Sequence, residues 1–205
     1  MKQPQHIHLA LRHDNVLGRD GSEIHASVTQ FDLHDFSRLA RTYGLGGFHC
    51  ITELEAQHRI SAEILDFWQA GYGRDYNPDR LAALNKLSLH HHFDTLLAQL
   101  TGLGQGEPLI FGTSARITDK TLDFVEASSI IERSGRPSLI QFGTSWGLST
   151  EQLNRCDWVL PPIDGYDGYN HLSVRCAAAI VLDRLIYPRH IQHPGDSQNG
   201  RNSST

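Results

Sequence analysis

The chain has 205 residues, 39% of them hydrophobic and 20% charged, which describes a folded chain long enough for one domain with a buried core rather than a disordered one. No apolar run reaches membrane-spanning length, and the opening Met1-Lys2-Gln3-Pro4-Gln5-His6 lacks the apolar stretch of a signal peptide, so a cytosolic protein without membrane association is expected. A formal net charge of −5 counts against a broad basic surface, and three distant cysteines (Cys50, Cys156, Cys176) without a CxxC pair read as reduced core thiols.

Ile7-His8-Leu9-Ala10-Leu11 alternates and predicts a first strand. A turn-rich loop at 18–22 follows, and Thr29, Asp32 and Asp35 supply helix-capping groups. Phe36, Leu39, Ala40 and Tyr43 then recur at the spacing of one helix face, and glycines at 44–47 end that helix. Phe48-His49-Cys50-Ile51 predicts a second strand, and 55–68 a second helix with Ile60, Ile64, Leu65 and Trp68 on its buried side. The stretch 71–78, with Tyr72, Arg74 and Tyr76, reads as a solvated connector ahead of a nucleic-acid contact made by ring stacking and a guanidinium.

A weak strand is expected at 84–89, a helix at 93–100 and a glycine connector at 102–106. Consecutive side chains on a regular helix point in different directions, so His90-His91-His92 does not predict a metal site. From Leu109 the rhythm sharpens, with a strand at 109–114, a helix at 122–132, a strand at 138–142, a short helix at 150–154 and a strand at 157–160. The last helix, 172–186, carries a wide stripe of Val174, Ala177, Ala178, Val181, Leu182 and Leu185, able to pack on the sheet and on a second subunit; Pro188 stops it. The polar tail at 189–205 is expected to be disordered, leaving a single domain over 1–188. Strands alternating with helices predict an α/β fold, a mostly parallel sheet with helices on both faces.

Two stretches stand out as loops that follow apolar strands: Phe142-Gly143-Thr144-Ser145-Trp146-Gly147-Leu148, and Leu160-Pro161-Pro162-Ile163 running on to Tyr169-Asn170-His171-Leu172-Ser173-Val174-Arg175. Such loops at the carboxyl ends of strands are where α/β proteins build ligand crevices. Gly143 and Gly147 allow close backbone approach to a ligand, and Asn170 and Ser173 suit a helix start.

The segment 160–175 resembles the C-terminal motif of the SPOUT superfamily of RNA methyltransferases, where an Asn-x-x-Ser-Val type stretch opens the final helix. Gly143 to Leu148 sits where that superfamily has its second motif, and Thr113-Ser114 at its first cofactor loop. His34-Asp35 followed by Arg41-Thr42 resembles the first motif of the ribose 2′-O branch, with Asp35 standing where that branch has Asn. The match is to a bacterial, stand-alone branch. The resemblance implies S-adenosyl-L-methionine as cofactor, a deep trefoil knot over about 109–186, and a homodimer packed partly through the final helix.

It also implies methyl transfer to a tRNA or rRNA nucleotide, with the ribose 2′-oxygen favoured over a base nitrogen. The cofactor residues it implies are Thr113, Ser114, Gly143, Thr144, Trp146, Gly147, Leu148, Pro162, Ile163, Asn170, His171, Leu172 and Ser173. Arg41, Asn170 and Ser173 are the implied catalytic set, Arg41 acting by its charge on the substrate hydroxyl or phosphate. The alternatives for these residues are a surface ion pair for Arg41, helix capping for Asn170 and Ser173, and a lid or core ring for Trp146. For the whole chain the alternative is a non-catalytic RNA- or nucleotide-binding module. A nicotinamide enzyme is disfavoured by the missing GxGxxG after the first strand.

Overall fold

The structure is a computed structural model that describes residues 4–186; Pro188 and the expected disordered tail lie outside the described residues. Six strands form one sheet: β1 (Ile7–Arg12), β4 (Gly47–Ile51), β5 (Leu87–His90), β6 (Leu109–Thr113), β7 (Ser138–Gly143) and β8 (Trp158–Leu160). They lie in the order β5-β4-β1-β7-β6-β8, and every neighbouring pair is parallel. Burial on both faces lets the central strands read as nearly continuous apolar runs. β1 is buried at all six positions.

The larger core packs α1 (Gln30–Thr42), α6 (Phe124–Ser134) and α8 (Val174–Ile186) against one face, around Phe36, Phe48, Phe111 and Phe142. Phe36 stacks on Phe48 at 5.1 Å and meets Phe142 edge-on at 5.6 Å. The other face is covered by α5 (Phe93–Thr101), whose Phe93, Leu96 and Leu100 bury Ala10, Ile51 and Leu139. The α/β architecture with helices on both faces is thus the observed one.

Several expectations need correction. The loop at 18–22 is the tip of a hairpin, β2 (Val16–Leu17) with β3 (Glu23–Ile24). Residues 71–78 hold a helical turn, α3 (Gly73–Tyr76), and Pro78 begins α4 (Pro78–Leu84), where its missing N–H costs nothing. On α2 (Glu55–Gln69), Trp68 is buried but Ile60 is not. Cys50 and Cys156 are core thiols, whereas Cys176 is exposed.

A buried polar row runs diagonally across the sheet. His8 Nδ1 lies 3.2 Å from His49 Nε2, and His49 Nδ1 lies 3.0 Å from His90 Nε2. Each contact needs one N–H facing one bare nitrogen, so the row is satisfied when neutral. Burial lowers the pKa of His8 to about 4 and of His49 to about 2, and lowers that of His90. His90 is therefore spoken for within the sheet. Among the described residues no group of three or more His, Cys, Asp or Glu is placed to hold a metal ion, and no helix is long and apolar enough to cross a membrane.

Candidate active site

The strand order turns between β1 and β7, the position where α/β sheets open a crevice at their carboxyl edge. A cleft of about 920 Å³ lies there. The loops after β6, β7 and β8 converge on it, and the start of α1 closes it from the side. Thr113, Ser114, Gly143, Thr144, Trp146, Gly147, Ile163, Asn170, His171, Leu172 and Ser173 all line it. Two expected members do not. Leu148 is buried beneath the loop, and Pro161 rather than Pro162 faces the cleft.

The glycines are required by the loop itself. A Cβ at Gly143 would collide with the backbone of Gly147 and Leu148, so this position must be bare for the chain to fold back on itself. Gly147 has open space around its α-carbon but a φ of 99°, and Ser145 has a φ of 54°. The turn closes through a 2.9 Å bond from Gly147 N–H to Thr144 O. The hairpin holds it from outside: Leu17 N–H donates to Gly147 O, and Trp146 N–H donates to Leu17 O. Beneath it, Thr144 donates both its N–H and its hydroxyl to Arg12 O at the end of β1. Arg12 is buried and doubly bonded to Asp14, at 2.7 and 2.6 Å, with its guanidinium 4.4 Å from the Phe93 ring centre.

Much of the polar lining has structural duties. The Thr113 hydroxyl donates to Gln141 O, Asn170 Nδ2 donates to Ala115 O at 2.9 Å, and the Ser173 hydroxyl accepts from Cys176 N–H at the start of α8. The Asn170 bond ties the loop before α8 to the loop after β6. The apolar wall is Phe142, Ile163, Leu172, Val174, Ala177 and Val181. Trp146 lines the cleft and is 58% exposed, so it is not a core residue. His171 meets Tyr169 edge-on at 5.3 Å.

The start of α1 contributes Thr29 and Asp32, and the segment leading to it contributes Ala26 and Ser27. Thr29 and Asp32 form a reciprocal capping box, with Asp32 Oδ2 accepting from Thr29 N–H and Oγ1–H. Asp32 Oδ1 accepts from Arg175 at 3.4 Å, and Arg175 also reaches Asp35 at 3.3 Å. Arg175 thereby clamps the first turn of α8 to the first turn of α1. Behind this corner His13 is fully buried, and burial lowers its pKa against the opposing pull of Asp32. Asp32 and Arg116 are the two formally charged side chains on the cleft lining. Sequence reasoning gave Asp32 only a capping duty and passed over Arg116, which lies two residues beyond Ser114.

Arg41 is not at the cleft. It lies nine positions after Asp32 on α1, about 13 Å along the axis and half a turn around it. It is exposed, and among the described residues it forms no ion pair, so the alternative of a surface pair with an acid is not seen either.

A family described as SAM-dependent RNA methyltransferases matches residues 6–187. A tRNA (guanine-N(1)-)-methyltransferase of Oleidesulfovibrio alaskensis is 36% identical over 182 residues, which is 89% of this chain and 42% of the relative. The chain thus spans under half the length of that relative. Among solved structures, a probable methyltransferase of Bordetella pertussis has a TM-score of 0.59 at 17% identity, covering 89% of this chain and 95% of that one. The SpoU methyltransferase AviRb of Streptomyces viridochromogenes, solved with AdoMet, has a TM-score of 0.57 at 13% identity, covering 92% and 59%. These two likenesses concern the fold.

Proposed function

This chain belongs to a family of S-adenosylmethionine-dependent RNA methyltransferases, and from that premise we propose that it is of the SPOUT class and methylates a ribose 2′-hydroxyl of a tRNA or rRNA nucleotide. The observation that carries the reading is the convergence of the loops after β6, β7 and β8 on one cleft.

The cleft's chemistry fits the cofactor. Its volume is in the range of small-molecule sites, with an apolar slot for an adenine ring and a polar rim. Ile163, Leu172, Val174 and Ala177 are assigned to the ring, and backbone groups of 143–147 and 170–173 to its edge and ribose. Asp32 and Arg116 offer one charge of each sign to a zwitterionic amino-acid end. The cofactor supplies a methyl group on a positively charged sulfur. The protein's part is to hold that group in line with the acceptor oxygen and to keep water out, work assigned to Trp146 on the cleft lining.

A ribose hydroxyl must pass its proton to solvent as the new carbon–oxygen bond forms and the methyl–sulfur bond breaks. Arg41 favours the ionised oxygen by its charge and holds the adjoining phosphate. Since Arg41 points away from its own cleft, this role is assigned in trans: a homodimer, contacting through α8 and neighbouring surfaces, carries Arg41 of one subunit to the cleft of the other. Asn170 and Ser173 keep their structural bonds and present the loop to the acceptor. The trefoil knot over about 109–186 and a cytoplasmic location belong to the same proposal.

Calorimetry with S-adenosylmethionine tests the cleft, and Arg41→Ala tests the chemistry. The variant is expected to bind cofactor as the parent does and to lose methyl transfer by about a hundredfold or more, the size of losing one well-placed charge in a transition state. Full activity in that variant removes the role given to Arg41. Methylation on a base nitrogen removes the acceptor assignment while leaving the cofactor site intact.

A further inference from the structure

The first turn of α1 separates two hollows. Thr29 and Asp32 face the cofactor cleft, while Gln30 faces a second hollow of about 320 Å³ shared with Ile60, Glu63, Ile64, Phe67 and Trp68 of α2. We propose that this second hollow holds one unpaired base of the substrate RNA, a guanine, beside the nucleotide being methylated. The proposal rests on the RNA-methylating reading above and extends it to a place where sequence recognition occurs.

The walls are those of a base site. Ile60 and Phe67 are 47% and 48% exposed, the large apolar side chains left uncovered on this helix. Phe67 stands edge-on to Trp68 at 5.2 Å. Trp68 is itself fixed between the His34 ring edge at 5.6 Å and the Arg80 guanidinium at 4.4 Å, so the floor is rigid. Glu63 offers carboxylate oxygens to a guanine N1–H and N2–H, and the Gln30 amide can donate to O6. Adenine and cytosine lack that order of groups. Sequence-specific readout of RNA works in this way, on splayed bases held by aromatic rings and read along their edges.

The neighbouring turn continues the platform. A Cβ at Gly73 would lie 2.6 Å from the Trp68 ring, and one at Gly71 would lie 2.7 Å from Phe67 O. Bare at both positions, α3 docks tightly on Phe67 and Trp68 and turns Tyr72 and Tyr76 outward. Their rings stack at 5.9 Å and 26°, and they are 74% and 69% exposed. Arg74, between them in the sequence, has a side chain 63% exposed with its Nε 3.9 Å from Asp75. The stretch at 71–78 is thus a second stacking surface for the strand leaving the hollow. Glu63, Asp66, Asp75 and Asp79 keep this region from being basic, so binding here rests on bases rather than phosphates and depends only shallowly on salt.

The test uses fluorescence anisotropy of dye-labelled uridine hexamers carrying one central guanosine or one central adenosine, with the full chain and with Phe67→Ala, Glu63→Gln and the Tyr72→Ala/Tyr76→Ala pair. Phe67→Ala and the tyrosine pair are each expected to weaken the guanosine hexamer by about tenfold, and Glu63→Gln to erase the preference over adenosine. Cofactor affinity by calorimetry and sedimentation behaviour should stay unchanged in all three. Unchanged hexamer binding in Phe67→Ala and Glu63→Gln overturns the proposal. So does a Phe67→Ala variant whose RNA binding falls only because its subunits come apart, since the hollow is then a contact between copies. A parent protein that methylates RNA equally well with Phe67→Ala removes the base site alone. A parent that prefers the guanosine hexamer yet methylates no RNA keeps the base site and removes the ribose-methylation reading.

Discussion

At position 143 a hydrogen atom in place of a side chain decides whether the cleft loop at 143–148 can form, because the backbone of residues 147–148 fills the space a Cβ needs. Gly143→Ala is therefore expected to destabilise the fold by about 1–3 kcal/mol, the usual range for overpacking, and to weaken S-adenosylmethionine binding at least tenfold in the fraction that folds. Thermal melts with and without cofactor check both. The row of His8, His49 and His90 makes a separate prediction, about pH. All three have folded-state pKa values below the ordinary value of 6.5 because burial disfavours their charge. Below pH 6.5 the unfolded chain takes up protons that the folded chain refuses, so stability falls as pH drops toward about 4, where His8 begins to titrate in place. Each histidine contributes up to about 1.4 kcal/mol per pH unit in that window. Urea midpoints measured between pH 7 and 4.5 should decline, and His49→Gln should flatten the decline. A midpoint that is flat or rises on acidification contradicts a neutral row.

Between elements, the decisive contacts join segments far apart in the chain. Arg175 ties α8 to α1 through Asp32 and Asp35, across one corner of the cleft. Arg175→Ala should weaken cofactor binding by roughly two- to fivefold, the size of a partly exposed ion pair, and a charge-swapped Arg175→Glu by more. The hairpin β2–β3 is bonded to the loop at 143–148 through Leu17; replacing 16–24 with a short turn should loosen Trp146 and Gly147 and raise the cofactor dissociation constant. These contacts also explain what the sequence disclosed. The strands from Leu109 onward were legible because each is an apolar run that ends in small polar residues or prolines, and the loops behind them hold most of the lining. The hairpin was not legible, since two residues per strand carry no periodicity and its partner is more than a hundred residues away. Nor was the role of Thr29, Asp32 and Arg116 at the cleft, which depends on where α1 and the loop after β6 come to rest. Arg41 was legible as part of a motif, but the helix turns it away from the cleft its motif suggests.

For the molecule as a whole, the role proposed for Arg41 requires the active unit to be a pair of subunits. At cofactor concentrations well below the parental dissociation constant, Arg41→Ala and Gly143→Ala are each expected to keep roughly a tenth of parental activity or less, yet mixing them through a cycle of dissociation and reassociation should restore roughly a quarter, as random pairing in a twofold dimer gives one working cleft in half of the dimers. A mixture as inactive as its components contradicts a site shared between subunits. The ribose-methylation reading itself meets its most direct test in mass spectrometry of nucleosides. RNA from cells lacking this protein would be incubated with the purified chain and S-adenosylmethionine bearing a deuterated methyl group, then digested to nucleosides and fragmented. The account predicts one labelled nucleoside whose deuterated methyl stays with the sugar fragment; label on the base fragment, or no labelled nucleoside in any RNA pool, contradicts it.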